Sequence, residues 1–398
     1  MKYDFDELVP RQGSHSFKWD AAGDPDMLPL WVADMDFRAA PEIIAALERR
    51  VRHGVFGYTK VPPAYFDAVV GWFTRRHGFT FAKEHVLPTT GVVPALAAVI
   101  RGLCAPGDRV LVQTPVYNHF FPSIVNQGCE VLESDLVYRE GAYSVDFADL
   151  EAKAKDPRAK LMLLCHPHNP VGRAWTVAEL ERIGDICLAS GVTVVSDEIH
   201  CDLVHEGHRH VPFASIREDF LRASITCTSP SKTFNLAGLQ VANLMIADDE
   251  LRGKIELALH ANEIALLSPF AVAALVAAYG EGDAWLDALK SYLRANDECL
   301  RSFLREHLPQ LYVLPLEATY LAWVDCSALK IPSAQLGETL RARGKVWVNE
   351  GTLYGASGEG FLRINLGCPR STLAEGLTRL RDVIAQRGVA PPRQSDFE

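Results

Sequence analysis

The chain has 398 residues, 48% apolar and 23% charged, with a net charge of −10 and 23 prolines scattered along it. A chain of this length buries a large core and is expected to divide into two domains. The acidic balance disfavours a nucleic-acid partner, because no surplus of cations is available to neutralise phosphates.

Nine cysteines, at positions 104, 129, 165, 187, 201, 227, 299, 326 and 368, are odd in number and form no CxxC pair. Buried reduced thiols are therefore expected, with neither a disulfide framework nor a metal site. The first eleven residues carry acids and lack the apolar segment of a secretory signal. The longest apolar run, 265–280, is broken at Ser268-Pro269 and falls short of the ~20 residues that span a membrane. A buried helix is the expected reading, in a cytoplasmic protein with no membrane partner.

From Glu84 to Ala247, short apolar and β-branched runs alternate with amphipathic stretches. Strands are expected at Val110–Gln113, Leu161–Cys165, Val192–Ser196, Ser224–Thr228 and Asn243–Ala247, and helices at Val93–Leu103 and Thr176–Ala189. Nearly continuous apolar runs are what strands buried on both faces of a mostly parallel sheet require. The alternation predicts an α/β fold with helices on both faces. Past Asp249 the pattern changes. Long helices are expected over Glu250–Glu263, Pro269–Tyr279 and Asp283–Glu306, then strands around Leu311–Trp323, Lys345–Val348 and Phe361–Asn365, and a closing helix from Ser371 to Arg387. This predicts a large α/β domain over 46–282 and a smaller α+β domain made of 1–45 and 283–398.

Six features of these elements carry chemistry. Lys232 lies in a polar stretch, Ser229 to Gln240, just after an expected strand, with hydroxyls one and three residues before it. A lysine in a polar loop is usually a solvated charge, but strand-end loops of α/β sheets are where ligands bind. Asp197 closes a buried strand, where a carboxylate is costly unless paired. Asn169 sits in a rigid turn, His166 to Gly172, again at a strand end, and Tyr117 follows another strand in position to stack on a planar ring. Gly91, Val92 and Val93 open a helix whose free N–H groups suit a phosphate. Arg363 alternates with apolar neighbours in Phe361–Asn365; facing inward, it would hold a carboxylate bidentately. An amine, an acid for a ring nitrogen, a phosphate cradle, a ring-stacking aromatic and a carboxylate ligand are the parts that pyridoxal-phosphate (PLP) chemistry needs.

The ordered set of Asn169, Asp197–His200 and Ser229–Gln240 resembles fold-type I PLP enzymes of the aminotransferase class I/II superfamily along nearly the whole chain. Further stretches, Trp31–Phe37, Phe56–Thr59, Thr90–Leu96 and Phe361–Arg370, resemble more narrowly the MalY/PatB group of carbon–sulfur β-lyases, which includes cystathionine β-lyases. The resemblance implies that Lys232 forms the Schiff base, Asp197 pairs with the pyridine nitrogen, Asn169 donates to the phenolic oxygen and Tyr117 stacks on the ring. It implies further that Ser229 and the backbone of Gly91–Val93 hold the phosphate, that Ser231 and His200 complete the cofactor set, and that Arg363 binds the substrate carboxylate. Tyr58 is expected to reach the phosphate in a neighbouring subunit, which implies a homodimer with shared sites.

Two positions depart from the common aminotransferase pattern. His200 stands where many place tyrosine, and Gln240 where many place a phosphate-binding arginine. Both point from transamination towards β-elimination: Lys232 removes the Cα proton of a sulfur amino acid, a thiolate leaves Cβ, and pyruvate and ammonia follow. With cystathionine the leaving thiol is homocysteine; cystine and cysteine S-conjugates suit the same chemistry. An aminotransferase of the same fold is the rival reading, and a regulatory protein on this scaffold a more distant one.

Overall fold

A computed structural model of the protein describes residues 3–264 and 266–386. Ala265, where the longest apolar run begins, and Arg387, the expected end of the closing helix, lie outside the described residues. Contacts group the chain into two units. The larger takes Arg38–Ser291 and Pro315–Thr319; the smaller takes the described residues up to Phe37, Tyr292–Leu314 and those from Tyr320 onward.

The larger unit is built on seven strands: β1 (Val86–Thr89), β2 (Arg109–Val112), β3 (Glu130–Glu133), β4 (Ala159–Cys165), β5 (Thr193–Asp197), β6 (Ser224–Thr228) and β7 (Ala242–Met245). Their spatial order is β1-β7-β6-β5-β4-β2-β3; β7 runs antiparallel to both neighbours and the other pairings are parallel. The mostly parallel sheet therefore carries one reversed strand, and a short apolar run has no signal that would reveal its direction. β1 and β3 had no strand expectation. β1 contains Pro88, which is tolerated because β1 is an edge strand, and β3 is the opposite edge and partly exposed. A further hairpin, Val137–Arg139 with Ala142–Ser144, turns through Glu140 and Gly141, both at positive φ, as a two-residue hairpin turn demands.

Helix Val92–Leu103 turns Ala95, Leu96 and Val99 into a core shared with Val110, Leu163, Val195, Ile225 and Leu244. Fully burying each of the valine, leucine and isoleucine side chains contributes about 1.5–3 kcal/mol. Helix Val177–Ser190 opens with a capping box between Thr176 and Glu179 and stops at Gly191, whose φ of 68° is the left-handed C-cap. What matters for function is the edge: Cys165, Asp197 and Cys227 are in register, so β4, β5 and β6 end side by side.

The smaller unit holds an antiparallel sheet of β8 (Tyr312–Val313), β9 (Leu321–Asp325), β10 (Asn349–Glu350) and β11 (Phe361–Asn365), in the order β8-β9-β11-β10. Helices Ser333–Gly344 and Arg370–Gln386 accompany it. The stretch Trp31–Phe37 belongs to this unit and is a charge cluster: Asp36 accepts from the buried Lys18 at 2.7 Å, Arg11 at 2.6 Å and Trp19 Nε1 at 2.8 Å. A buried ammonium without such carboxylates would cost several kcal/mol. The nine cysteines are all free thiols. Among the described residues, no helix is long and apolar enough to cross a membrane; the apolar run near 270 is the helix Pro269–Glu281, buried along most of its length.

Candidate active site

Asp197 is the last residue of β5 and is buried, with its Oδ1 accepting the Ile199 N–H at 3.2 Å. Burial pushes its carboxyl up to about 7, against the pull of that N–H and of the Lys232 charge. No cation lies within salt-bridge distance of it among the described residues. The Lys232 ammonium thus acts on Asp197 through space, from the next loop along the sheet edge. That loop is one turn of helix, Pro230–Thr233, following β6. Ser229 caps it: its hydroxyl accepts the Ser231 N–H at 3.0 Å and donates to the Val241 carbonyl at 2.6 Å.

The loop after β4 is fastened to the same edge. His166 N–H donates to the Asp197 carbonyl at 2.9 Å, and Asn169, itself buried, donates its N–H to Cys165 Sγ at 3.3 Å. Gly172 has φ of 76°, and a Cβ there would approach Leu316 to 3.1 Å. His168 donates Nε2–H to the Pro115 carbonyl at 2.8 Å, tying this turn to the loop after β2. Burial drives the His168 imidazole down to about 4 and that of His166 to about 3, so both are neutral at pH 7. Past Pro115 comes Tyr117, half-buried, with ring centroids 5.3 Å from His119 and 5.8 Å from Phe120.

Helix Val92–Leu103 starts at Gly91 with no side-chain cap, leaving the N–H groups of Val92 and Val93 in its uncapped first turn. His200 is buried in the turn following Asp197. Tyr58 is in the same unit but is 99% exposed, on a segment that also exposes Val55 and Phe56. Arg363 belongs to the smaller unit. It is buried in the middle of β11, opposite Trp323 on β9 and Asn349 on β10. Its Nη2 donates to the Trp31 carbonyl at 2.7 Å and its guanidinium lies 5.0 Å from the centre of the Tyr354 ring.

Residues 25–380 match the sequence profile of aminotransferase class I and II. The chain belongs to that family. Among curated relatives, cystathionine β-lyase PatB of Bacillus subtilis is 44% identical, with 96% of this chain and all of PatB covered. Protein MalY of Escherichia coli is 36% identical over 96% of this chain and 99% of its own. Among solved structures, cystalysin from Treponema denticola, which contains PLP, superposes with a TM-score of 0.95 at 36% identity, covering 97% of this chain and all of that one. The PLP-bound C–S lyase of Staphylococcus hominis gives 0.91 at 32%, covering 96% and 99%.

The donor set fits the cofactor of this class I/II family member. A carboxyl buried at a strand end, without a cation at contact distance, is matched to a pyridinium N–H. Lys232, close enough to act on that carboxyl, supplies an amine on the neighbouring loop. Four residues of this region were absent from the sequence expectation. Burial lowers the His119 imidazole, and the nearby Lys232 charge lowers it further; its position two residues after Tyr117 was a usable signal. His168, Asp202 and Thr233 act as buttresses, and the partners that make them so are distant in sequence.

Proposed function

We propose that this protein is a PLP-dependent carbon–sulfur β-lyase that cleaves L-cystathionine to homocysteine, pyruvate and ammonia. Cystine and cysteine S-conjugates are substrates by the same reaction. The observation that carries the reading is the buried Asp197 carboxyl under the influence of the Lys232 charge, in a class I/II chain 44% identical to a cystathionine β-lyase.

Bound PLP supplies an electron sink for the pair left when the substrate Cα–H bond breaks. Asp197 keeps a proton at the ring nitrogen by pairing with it. Lys232 holds the cofactor, then accepts the Cα proton. Tyr117 covers the ring face and Asn169 donates to its phenolic oxygen. Gly91, Val92, Val93, Ser229 and Ser231 bind the phosphate, with His200 completing the set, and Arg363 takes the substrate carboxylate in two parallel hydrogen bonds. Fixing both carboxylate and ring sets the torsion that the departing thiolate needs.

Tyr58 reaches the phosphate of a second copy, so the active unit is a homodimer. Its complete exposure, beside exposed Phe56 and Val55, supports that assignment. The protein works in the cytoplasm, without a nucleic-acid or membrane partner.

Aminotransfer is the second reading, favoured by the family's own chemistry. Gln240 stands against it: this exposed residue carries no charge for the phosphate. The deciding experiment supplies cystathionine without any keto acid. Pyruvate, ammonia and homocysteine are expected in equal amounts, and alanine is expected to react slowly at best. Alanine transamination at a rate rivalling cystathionine turnover would replace the lyase reading by the aminotransferase one.

A further inference from the structure

The turn that carries Lys232 is too short to hold itself. Pro230–Thr233 is a single helical turn, kept by the Phe234 N–H to the Pro230 carbonyl at 2.8 Å and the Leu236 N–H to the Ser231 carbonyl at 2.9 Å, and it leaves through Asn235 at a φ of 59°. One turn fixes many dihedrals for few hydrogen bonds and is unstable alone. Side chains brace it on both flanks. Before the lysine, Ser229 is bonded to Val241. After it, the Thr233 hydroxyl donates to Asp202 Oδ2 at 2.8 Å, both residues being buried.

Asp202 is itself held from a third element. Its Oδ1 accepts Trp72 Nε1–H at 3.0 Å and His77 Nε2–H at 2.8 Å, both from the later turns of helix Pro63–His77. Burial pushes its carboxyl up, but these donors win and hold it below the usual carboxylate range. Phe234, the next residue of the turn, packs edge-on to Trp72 at 5.6 Å and stacks on Trp285 at 5.7 Å. His77, Cys201 and Asp202 bring three potential metal ligands within 4.8 Å. Both Asp202 oxygens are nevertheless occupied by side-chain donors, which makes this a hydrogen-bonded anchor.

We propose that Asp202 is a positioning residue for Lys232: anchored by Trp72 and His77, it grips the Thr233 hydroxyl and so fixes the turn that aims the amine. The proposal rests on Lys232 being the cofactor-linking lysine.

The full-length chain, stripped of cofactor and given PLP back, provides the test. Absorbance follows covalent linkage after the faster noncovalent binding, and borohydride followed by peptide mapping locates it. Thr233→Val, equal in shape without the hydroxyl, is expected to slow linkage about ten- to hundredfold while noncovalent PLP binding is unchanged. Thr233→Ser is expected to restore the wild-type rate, and Asp202→Asn to behave as Thr233→Val does. Wild-type linkage in folded Thr233→Val overturns the proposal. A label on any lysine other than Lys232 instead overturns the functional reading beneath it. Hydrogen exchange of the unsubstituted protein needs no variant. The Phe234 and Leu236 amides are expected to exchange as slowly as those of β5, and loop-like exchange would show that the turn is not held.

Discussion

The His166 N–H donates to the Asp197 carbonyl at 2.9 Å, so the loops bearing Asn169 and Asp197 leave the sheet tied to each other. The Asp197 backbone is held by this bond and by its strand register, so removing the side chain takes from the loop only the Ile199 N–H contact. Asp197→Ala is expected to keep the fold and part of its PLP while losing turnover by about a hundredfold or more, the scale on which a preorganised charge matters. Absorbance for cofactor content and pyruvate release for turnover check this. Near-normal turnover would remove Asp197 from its role.

Stability is expected to fall in acid through two neutral histidines. The folded values of His168, about 4, and His166, about 3, lie below the ordinary 6.5, so their contribution is complete above that pH and is lost as pH drops. Between pH 6.5 and 4 the unfolded chain takes up protons that the folded chain refuses, at about 1.4 kcal/mol per pH unit for each ring. His168→Gln keeps a donor for Pro115 and should shallow the slope by about one proton. Urea unfolding at pH 7 and pH 5 measures it; an unchanged slope would mean that His168 already titrates near its ordinary value.

Complementation tests the sharing of sites. Tyr58→Ala and Lys232→Ala are each expected to be inactive, and their mixture, after subunit exchange, to recover part of the activity, because one site of each mixed dimer keeps both residues. No recovery despite exchange verified by mass spectrometry would place Tyr58 outside the partner's site.

Packing gives a prediction remote from the chemistry. Gly184, inside helix Val177–Ser190, faces the Phe220 ring so closely that a Cβ would lie 2.2 Å from Cζ. That ring cannot swing aside easily: it stacks on Phe213 at 4.9 Å and carries the Arg217 guanidinium at 4.1 Å. Gly184→Ala is expected to destabilise the protein by about 1–3 kcal/mol despite alanine's better helix propensity. A denaturation midpoint at or above the unsubstituted one would contradict it.

The placement of the candidate residues was legible because they stand in local patterns. Leu161–Cys165 and Val192–Ser196 are apolar runs and Ser224–Thr228 is a β-branched one, each followed by a turn, so Asn169, Asp197 and Lys232 could be assigned to strand ends from the sequence by itself. Burial periodicity and turn chemistry are properties of a short window, and that window suffices for them. Pro88 hid an edge strand for the same reason, since the window cannot tell an edge from a centre. Only the tertiary structure decided that Ala242–Met245 runs antiparallel, that Tyr58 is wholly exposed, and which groups brace the site. Thr233 meets Asp202 from 31 residues away, Asp202 meets His77 across 125, and His168 meets Pro115 across 53. A hydroxyl, a carboxylate and an imidazole at such separations carry no local mark of one another; their pairing is set by which strands and helices pack together, and burial then makes each bond obligatory.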